Sequence, residues 1–375
     1  MEREAAYPAA RIVSPRVHEY FTRQRAETGG NGYGSVATLP DTAAIEAIVD
    51  AAFWASLRRE EGFIPKISLA FLSPQQTDSA LLFERPLPLD PGILTKVAPA
   101  VERPGIHLGV SAGPDGLAVW GATRTIPSLC FVVEVAAPGL IVIKHHSGET
   151  TGKFVNVAVL EGDQVKIVDE RAAAIPDCPA LLTALLGSES PAAWVHSVNV
   201  LVQLAVSMRA HGRGGSLLVV PALGDAWRES IVSPIPYAVS PPFSDLAELA
   251  RATDDDDSGR LIRTVDAVAG LTAVDGAVIL TDQYDVLGFG AKITRRRSHP
   301  LVEQVLVTEP IEGGEATLVN PDKLGGTRHL SAAQFVQDQQ DCAALVASQD
   351  GRFTVFEWSP CENMVHAHRI EALLL

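Results

Sequence analysis

Six short apolar segments between residues 106 and 168 constrain the fold of this chain more than any other feature. They cover residues 106–110, 117–120, 129–135, 140–144, 154–160 and 165–168. Gly113-Pro114-Asp115-Gly116, Pro138-Gly139 and Glu161-Gly162-Asp163 punctuate them. Apolar runs of this length closed by Gly, Pro and Asp read as strands joined by tight turns, so the region predicts a largely antiparallel sheet.

Helical spacing lies on either side of that block. Asp41 is placed to cap a helix in which Ile45, Ile48, Val49, Ala52, Phe53 and Leu57 recur on one face. Residues 67–72 read as a strand stopped by Ser73-Pro74, and residues 1–40, rich in Gly, Pro and Arg, read as irregular. The stretch 187–191 reads as a link, with Ser190 as cap and Pro191 at the first helical position. Trp194, Val195, Val198, Leu201, Val202, Ala205 and Met208 then form one apolar face, which Gly212 closes. A strand at 217–220, Pro-rich turns through Pro242, and helices at 246–252 and 260–269 follow. The acidic run 254–257 between those helices reads as a solvated turn. Strands at 277–281 and 286–293 and a hairpin turning at Asp350-Gly351 complete the pattern.

The predicted class is therefore α/β. A mixed sheet flanked by helices occupies 187–375, joined to a β-rich region, 1–186. Each half offers a helix, a short apolar strand, a Pro-rich stretch and a hairpin. The first region thus reads as a degenerate repeat of the second, without a counterpart of Gly326–His329.

Charge narrows the function. Asp and Glu number 45 against 30 Lys and Arg, a net −15, which excludes an extended nucleic-acid face but allows a local positive pocket. The richest apolar stretch, 129–143, is broken by Glu134 and Pro138-Gly139, short of the roughly 20 apolar residues a membrane helix needs. Residues 1–11 are charged and lack the apolar segment of a signal peptide. A cytoplasmic protein without membrane contact is expected. Cys130, Cys178, Cys342 and Cys361 are far apart with no CxxC spacing, and read as free thiols.

Two motifs carry chemistry. Asp275-Gly276-Ala277 opens the apolar run Val278-Ile279-Leu280 and so puts a carboxylate at the mouth of a buried strand. Gly326-Thr327-Arg328-His329 is a glycine turn entering a helix, with Arg328 and His329 on its first turn. A helix start offers unpaired N–H groups and the positive end of a dipole, both of which attract anions. An acid facing such a start is the minimum needed to handle a nucleoside triphosphate.

In order and setting, these motifs and their flanking elements over residues 190–358 resemble the diadenylate cyclase domain, the N-terminal catalytic domain of the bacterial DNA-integrity scanning protein. The resemblance implies two ATP molecules condensed to cyclic di-AMP, with Mg²⁺ or Mn²⁺, across a face-to-face homo-oligomer contact. It implies that Asp275 holds the metal and helps deprotonate a 3′-hydroxyl, and that Gly276 and Ala277 admit the nucleotide to the backbone. Gly326, Thr327, Arg328 and His329 would hold the phosphates, each charge-assisted bond contributing roughly 1.5–3 kcal/mol. The departures are equally specific. Leu330 stands where the family has a second arginine, and either the shorter Asp338 substitutes for a metal-proximal glutamate or the metal site is lost. Residues 293–325 are longer than the family's, and Arg295-Arg296-Arg297 within them read as an exposed loop, the alternative being a source of the missing positive charge. Binding elements retained beside a reduced catalytic set imply a sensor-type protein that binds ATP or a cyclic dinucleotide. An active diadenylate cyclase is the alternative. A homo-oligomer is required by the cyclase reading and optional for the sensor.

Other signals are set aside. Residues 147–153 mimic a phosphate loop but are one residue short between the glycines and precede a strand. The pairs His145-His146 and His366/His368 have no carboxylate or thiol at ligand spacing, and are expected at the surface.

Overall fold

The computed structural model describes residues 6–28, 37–113, 116–146, 154–169, 200–251 and 258–375. The chain divides into two compact units, 1–168 together with Leu375, and 169–374. The link expected at 187–191, the acidic run 254–257, the turn 147–153 and Cys178 lie outside the described residues. Among the described residues no helix is long and apolar enough to cross a membrane.

In the first unit α1 (Pro8–Thr28) and α2 (Thr42–Ser56) precede β1 (Ser68–Phe71), β2 (Ala80–Pro88) and α3 (Pro91–Val101). There follow β3 (His107–Gly113), β4 (Gly116–Thr123), β5 (Phe131–Ala137), β6 (Leu140–His146), β7 (Phe154–Glu161) and β8 (Gln164–Ile167). Asp41 caps α2 as its sequence position suggests, accepting from the Ala44 N–H at 2.7 Å. The stretch read as irregular is corrected: α1 spans 21 of its residues despite Pro15. Val13, Val17 and Phe21, spaced by four, bury one face against the sheet, and that packing outweighs the hydrogen bond proline removes. All three helices join the core on a single face of the sheet. The sheet runs β2-β4-β3-β1-β5-β6-β7-β8, antiparallel except for the parallel pair β1–β3.

The second unit opens with α4 (Val200–Ala210), β9 (Gly215–Val220) and β10 (Tyr237–Phe243). Helices α5 (Asp245–Arg251) and α6 (Ser258–Leu271) lead to β11 (Ala277–Thr281) and β12 (Val286–Ala291). Then come β13 (Val305–Thr308), β14 (Thr317–Val319), α7 (Thr327–Asp338), β15 (Ala343–Ala347), β16 (Phe353–Ser359) and β17 (Met364–Arg369). The sheet order is β10-β12-β11-β9-β15-β16-β17-β13-β14. Its first seven strands repeat the order and the pairing senses of β2-β4-β3-β1-β5-β6-β7. The fold class is α/β with two mixed sheets. Here both faces are covered: α4, α5 and α6 close one, and Ala332, Ala333, Phe335 and Val336 of α7 close the other.

Three further expectations are corrected. His366 and His368 are buried, because β17 is an interior strand between β16 and β13. His145 is buried against Phe21 and bonded to the Tyr20 hydroxyl at 3.1 Å. Cys130 and Cys342 are free and buried, but Cys361 is disulfide-bonded.

Candidate functional site

Asp275 and Gly276 form the entry to β11, and pairing with β12 sets Ala277 opposite Ala291. That register brings Lys292 beside Asp275. The Lys292 Nζ donates to Asp275 Oδ2 at 2.6 Å, and both side chains are largely solvated. The Lys292 hydrogen bond and charge, with a further contribution from Arg328, hold the Asp275 carboxyl below the usual carboxylate range. Arg328, on the first turn of α7, is thus within electrostatic reach of Asp275. Its guanidinium rests against Gly214, the residue before β9, so closely that a Cβ there would lie 2.7 Å from Nη1. The mouth of β11 and the start of α7 therefore share one end of the second sheet.

The other residues of the Gly326–His329 motif divide. Gly326 is the N-cap of α7 and brings no side-chain cap, and Thr327 beside it is exposed. His329 turns inward: it is buried, packed edge-on to Phe356 at 6.1 Å and directly against Gly325. Burial pushes its pKa down, with Asp350 opposing and Arg352, Arg369 and Arg328 adding to the shift. Its Nε2 has no hydrogen-bond partner. A ring held this way seats the turn and leaves the outward surface to Thr327 and Arg328.

Asp338 is not brought to Asp275. It closes the last turn of α7, ten residues beyond Arg328, or about 15 Å along the helix. Its Oδ2 accepts from the Arg296 N–H at 2.7 Å and its Oδ1 from Gln334 Nε2 at 2.9 Å. There it lines a cavity of about 660 Å³ with Arg296 and His299. Arg296 also pairs with Glu229 at 2.6 Å, so this part of the triple-arginine loop is engaged away from Gly326–His329. Leu330 packs onto the apolar layer beneath α7.

The donor set does not fit a resident Mg²⁺ or Mn²⁺. Such ions want several hard oxygens. Here a single carboxylate is already neutralised by an ammonium, and no group of three metal-ligating side chains occurs among the described residues.

Two contributors escaped sequence reasoning. Lys292 reaches Asp275 only through the hairpin register. Tyr237 stacks on Phe289 with centroids 4.8 Å apart and lies against Gly290, while remaining 52% exposed. Its segment reads as Pro-rich turn, and the only sequence signal was an aromatic residue between prolines.

Residues 34–124, which hold α2, α3 and β1–β4, match the family model described as the probable sensor domain DACNV. That match lies within the first unit and fits a sensor-type protein. No curated protein matches the chain.

Proposed function

We propose that the second unit is a nucleotide-binding module of diadenylate-cyclase-like type, taking ATP or a cyclic dinucleotide at the start of α7. The observation that carries this reading is the meeting of Asp275, Lys292 and Arg328 at one end of the sheet. Arg328 supplies a planar fork for phosphate oxygens, Lys292 a point charge, and the first amides of α7 an oriented dipole. Gly276 lets the entry of β11 close against Gly290, and Tyr237, packed against Gly290, offers an exposed ring there for stacking. Asp275 serves in this reading as the counter-charge that holds Lys292 in place until a phosphate replaces it.

The sensor reading is favoured over the cyclase because Asp275 is occupied by Lys292, Leu330 brings no charge, and Asp338 sits at the far end of α7. Calorimetry with ATP and with cyclic di-AMP tests the binding. Binding of either, lost in Arg328→Ala, is the expected outcome, and the absence of any nucleotide binding would sink the proposal. Mass spectrometry after incubation with ATP and Mn²⁺ decides between the two readings. Cyclic di-AMP formation abolished by Asp275→Asn would establish the cyclase.

A further inference from the structure

The two sheets share seven strands in order and sense, so equivalent positions on their faces can be compared. In the second unit Ser216 pairs with Ala277 and with Val346, and the neighbouring pair Ala344–Phe356 extends the row. Ala277, Val346 and Phe356 are apolar core beneath α7. In the first unit the same positions hold Ser68, His107, Glu134 and Lys144. Ser68 pairs with Glu134, Val132 with Lys144, and the Ser68 hydroxyl meets His107 Nδ1 at 2.7 Å. Only residues 124–130 separate β4 from β5, so no counterpart of α7 is present there, and α1, α2 and α3 all pack on the opposite face. Where the second unit's face is apolar beneath α7, the first unit's face carries a buried apolar patch of Ala70, Leu72, Trp120, Cys130 and Val132 and, beside it, a polar row across adjacent strands.

We infer that this row, with Lys144 at its centre, is a binding site for a small oxyanion, a carboxylate or phosphate group, within the first unit. Lys144 keeps only 11% of its side chain exposed and is paired with Glu134, which keeps 40%. A buried ammonium requires a counter-charge, and removing that charge is costly, so Lys144 cannot be left alone. Glu134 is the more exposed member of the pair and stands where a ligand's oxyanion would sit. Donors are at hand: the mutually bonded Ser68–His107 pair keeps one O–H or N–H for a ligand, and the His146 imidazole and the ammonium itself add theirs. The Phe154 ring walls one side, with Lys144 Nζ 4.7 Å from its centroid and the His107 and His146 rings each at 5.7 Å. An arriving oxyanion takes over Lys144 and releases Glu134 to solvent, a change suited to a sensor. Ser68 and His107 both lie in the segment that matches the probable sensor domain.

The test uses the full chain carrying Arg328→Ala, which removes the phosphate contact proposed for the second unit. Inorganic phosphate and acetate are titrated separately by calorimetry, so the two arms separate a phosphate from a carboxylate ligand. Saturable binding of at least one is expected, weakened roughly tenfold or more by Lys144→Met and tightened severalfold by Glu134→Gln, which removes the tethered competitor. Glu134→Gln keeps the shape and an amide oxygen that still accepts from the Lys144 ammonium, and circular dichroism of both variants identifies which is folded, so that either one decides the test. The inference is overturned if neither probe binds saturably, if Glu134→Gln leaves the affinity unchanged, or if a folded Lys144→Met does so.

Discussion

Gly276 and Gly290 lie so close across the β11–β12 hairpin that a Cβ on Gly276 would sit 2.4 Å from the carbonyl carbon of Gly290. The φ of Gly276 is +114°, a conformation side chains rarely adopt. Gly276→Ala therefore meets backbone it cannot displace cheaply and a disfavoured φ together. The expected cost is about 1–3 kcal/mol of unfolding free energy, with a lower denaturant midpoint and an unchanged slope. Because the strain falls beside Asp275, nucleotide binding should weaken even where the protein stays folded. Urea titration and calorimetry on the same sample check both effects.

The Asp275–Lys292 pair is solvated, so breaking it should leave stability within error. Its consequence is for ionisation and binding. With its folded-state pKa below the ordinary value, Asp275 contributes what it does above the unfolded-state pKa and loses it as pH falls through the folded one. Lys292→Met should move the Asp275 titration upward in carbonyl-detected NMR. Asp275→Asn should free Lys292 and tighten ATP binding. Weaker binding in that variant would instead give Asp275 a direct role in holding the ligand.

Much of this architecture can be read from residue pattern, because its interior strands are continuous apolar runs ended by turn residues. Segment 277–281 coincides with β11, and the hairpin read as turning at Asp350-Gly351 is formed by β15 and β16. The edge strands β2 and β10 are different: nearly all of their side chains are exposed or half-exposed, so no alternation marks them. Helix α1 is concealed by Pro15 and by arginines whose side chains face outward. At the site, Asp275 and Arg328 are legible because each belongs to a local motif. Lys292 and Tyr237 are not, since strand pairing alone brings them there. His366 and His368 read as surface residues because nothing local shows that β17 has a neighbour on each side.

Arg328 carries the largest share of the proposed affinity. Charge-assisted bonds to phosphate contribute about 1.5–3 kcal/mol, which corresponds to roughly ten- to a hundredfold in affinity. Arg328→Ala should lose that factor for ATP. Arg328→Lys should recover only part of it, because a point charge cannot reproduce the two-pronged contact. Equal affinities in all three proteins would place the ligand elsewhere.

Glu357 and His366 face one another across β16 and β17, and with His368 they bury ionisable groups on one side of the sheet. Burial pushes the Glu357 carboxyl from an ordinary 4.5 up to about 8, and the His368 imidazole from 6.5 down to about 3. The signs oppose. Between 4.5 and 8 the folded state holds a proton on Glu357 that the unfolded state has released, so stability falls as pH rises. Between 3 and 6.5 the unfolded state binds a proton that His368 does not, so stability falls as pH drops. From 6.5 to 8 Glu357 acts without that opposition, and wild-type stability should decline across this window. Glu357→Gln keeps the shape and cannot ionise, so it should flatten the decline and gain at most roughly 4–5 kcal/mol on the alkaline side. Unfolding free energies measured at several pH values in both proteins check this. A decline that persists in Glu357→Gln would assign the alkaline loss to another group.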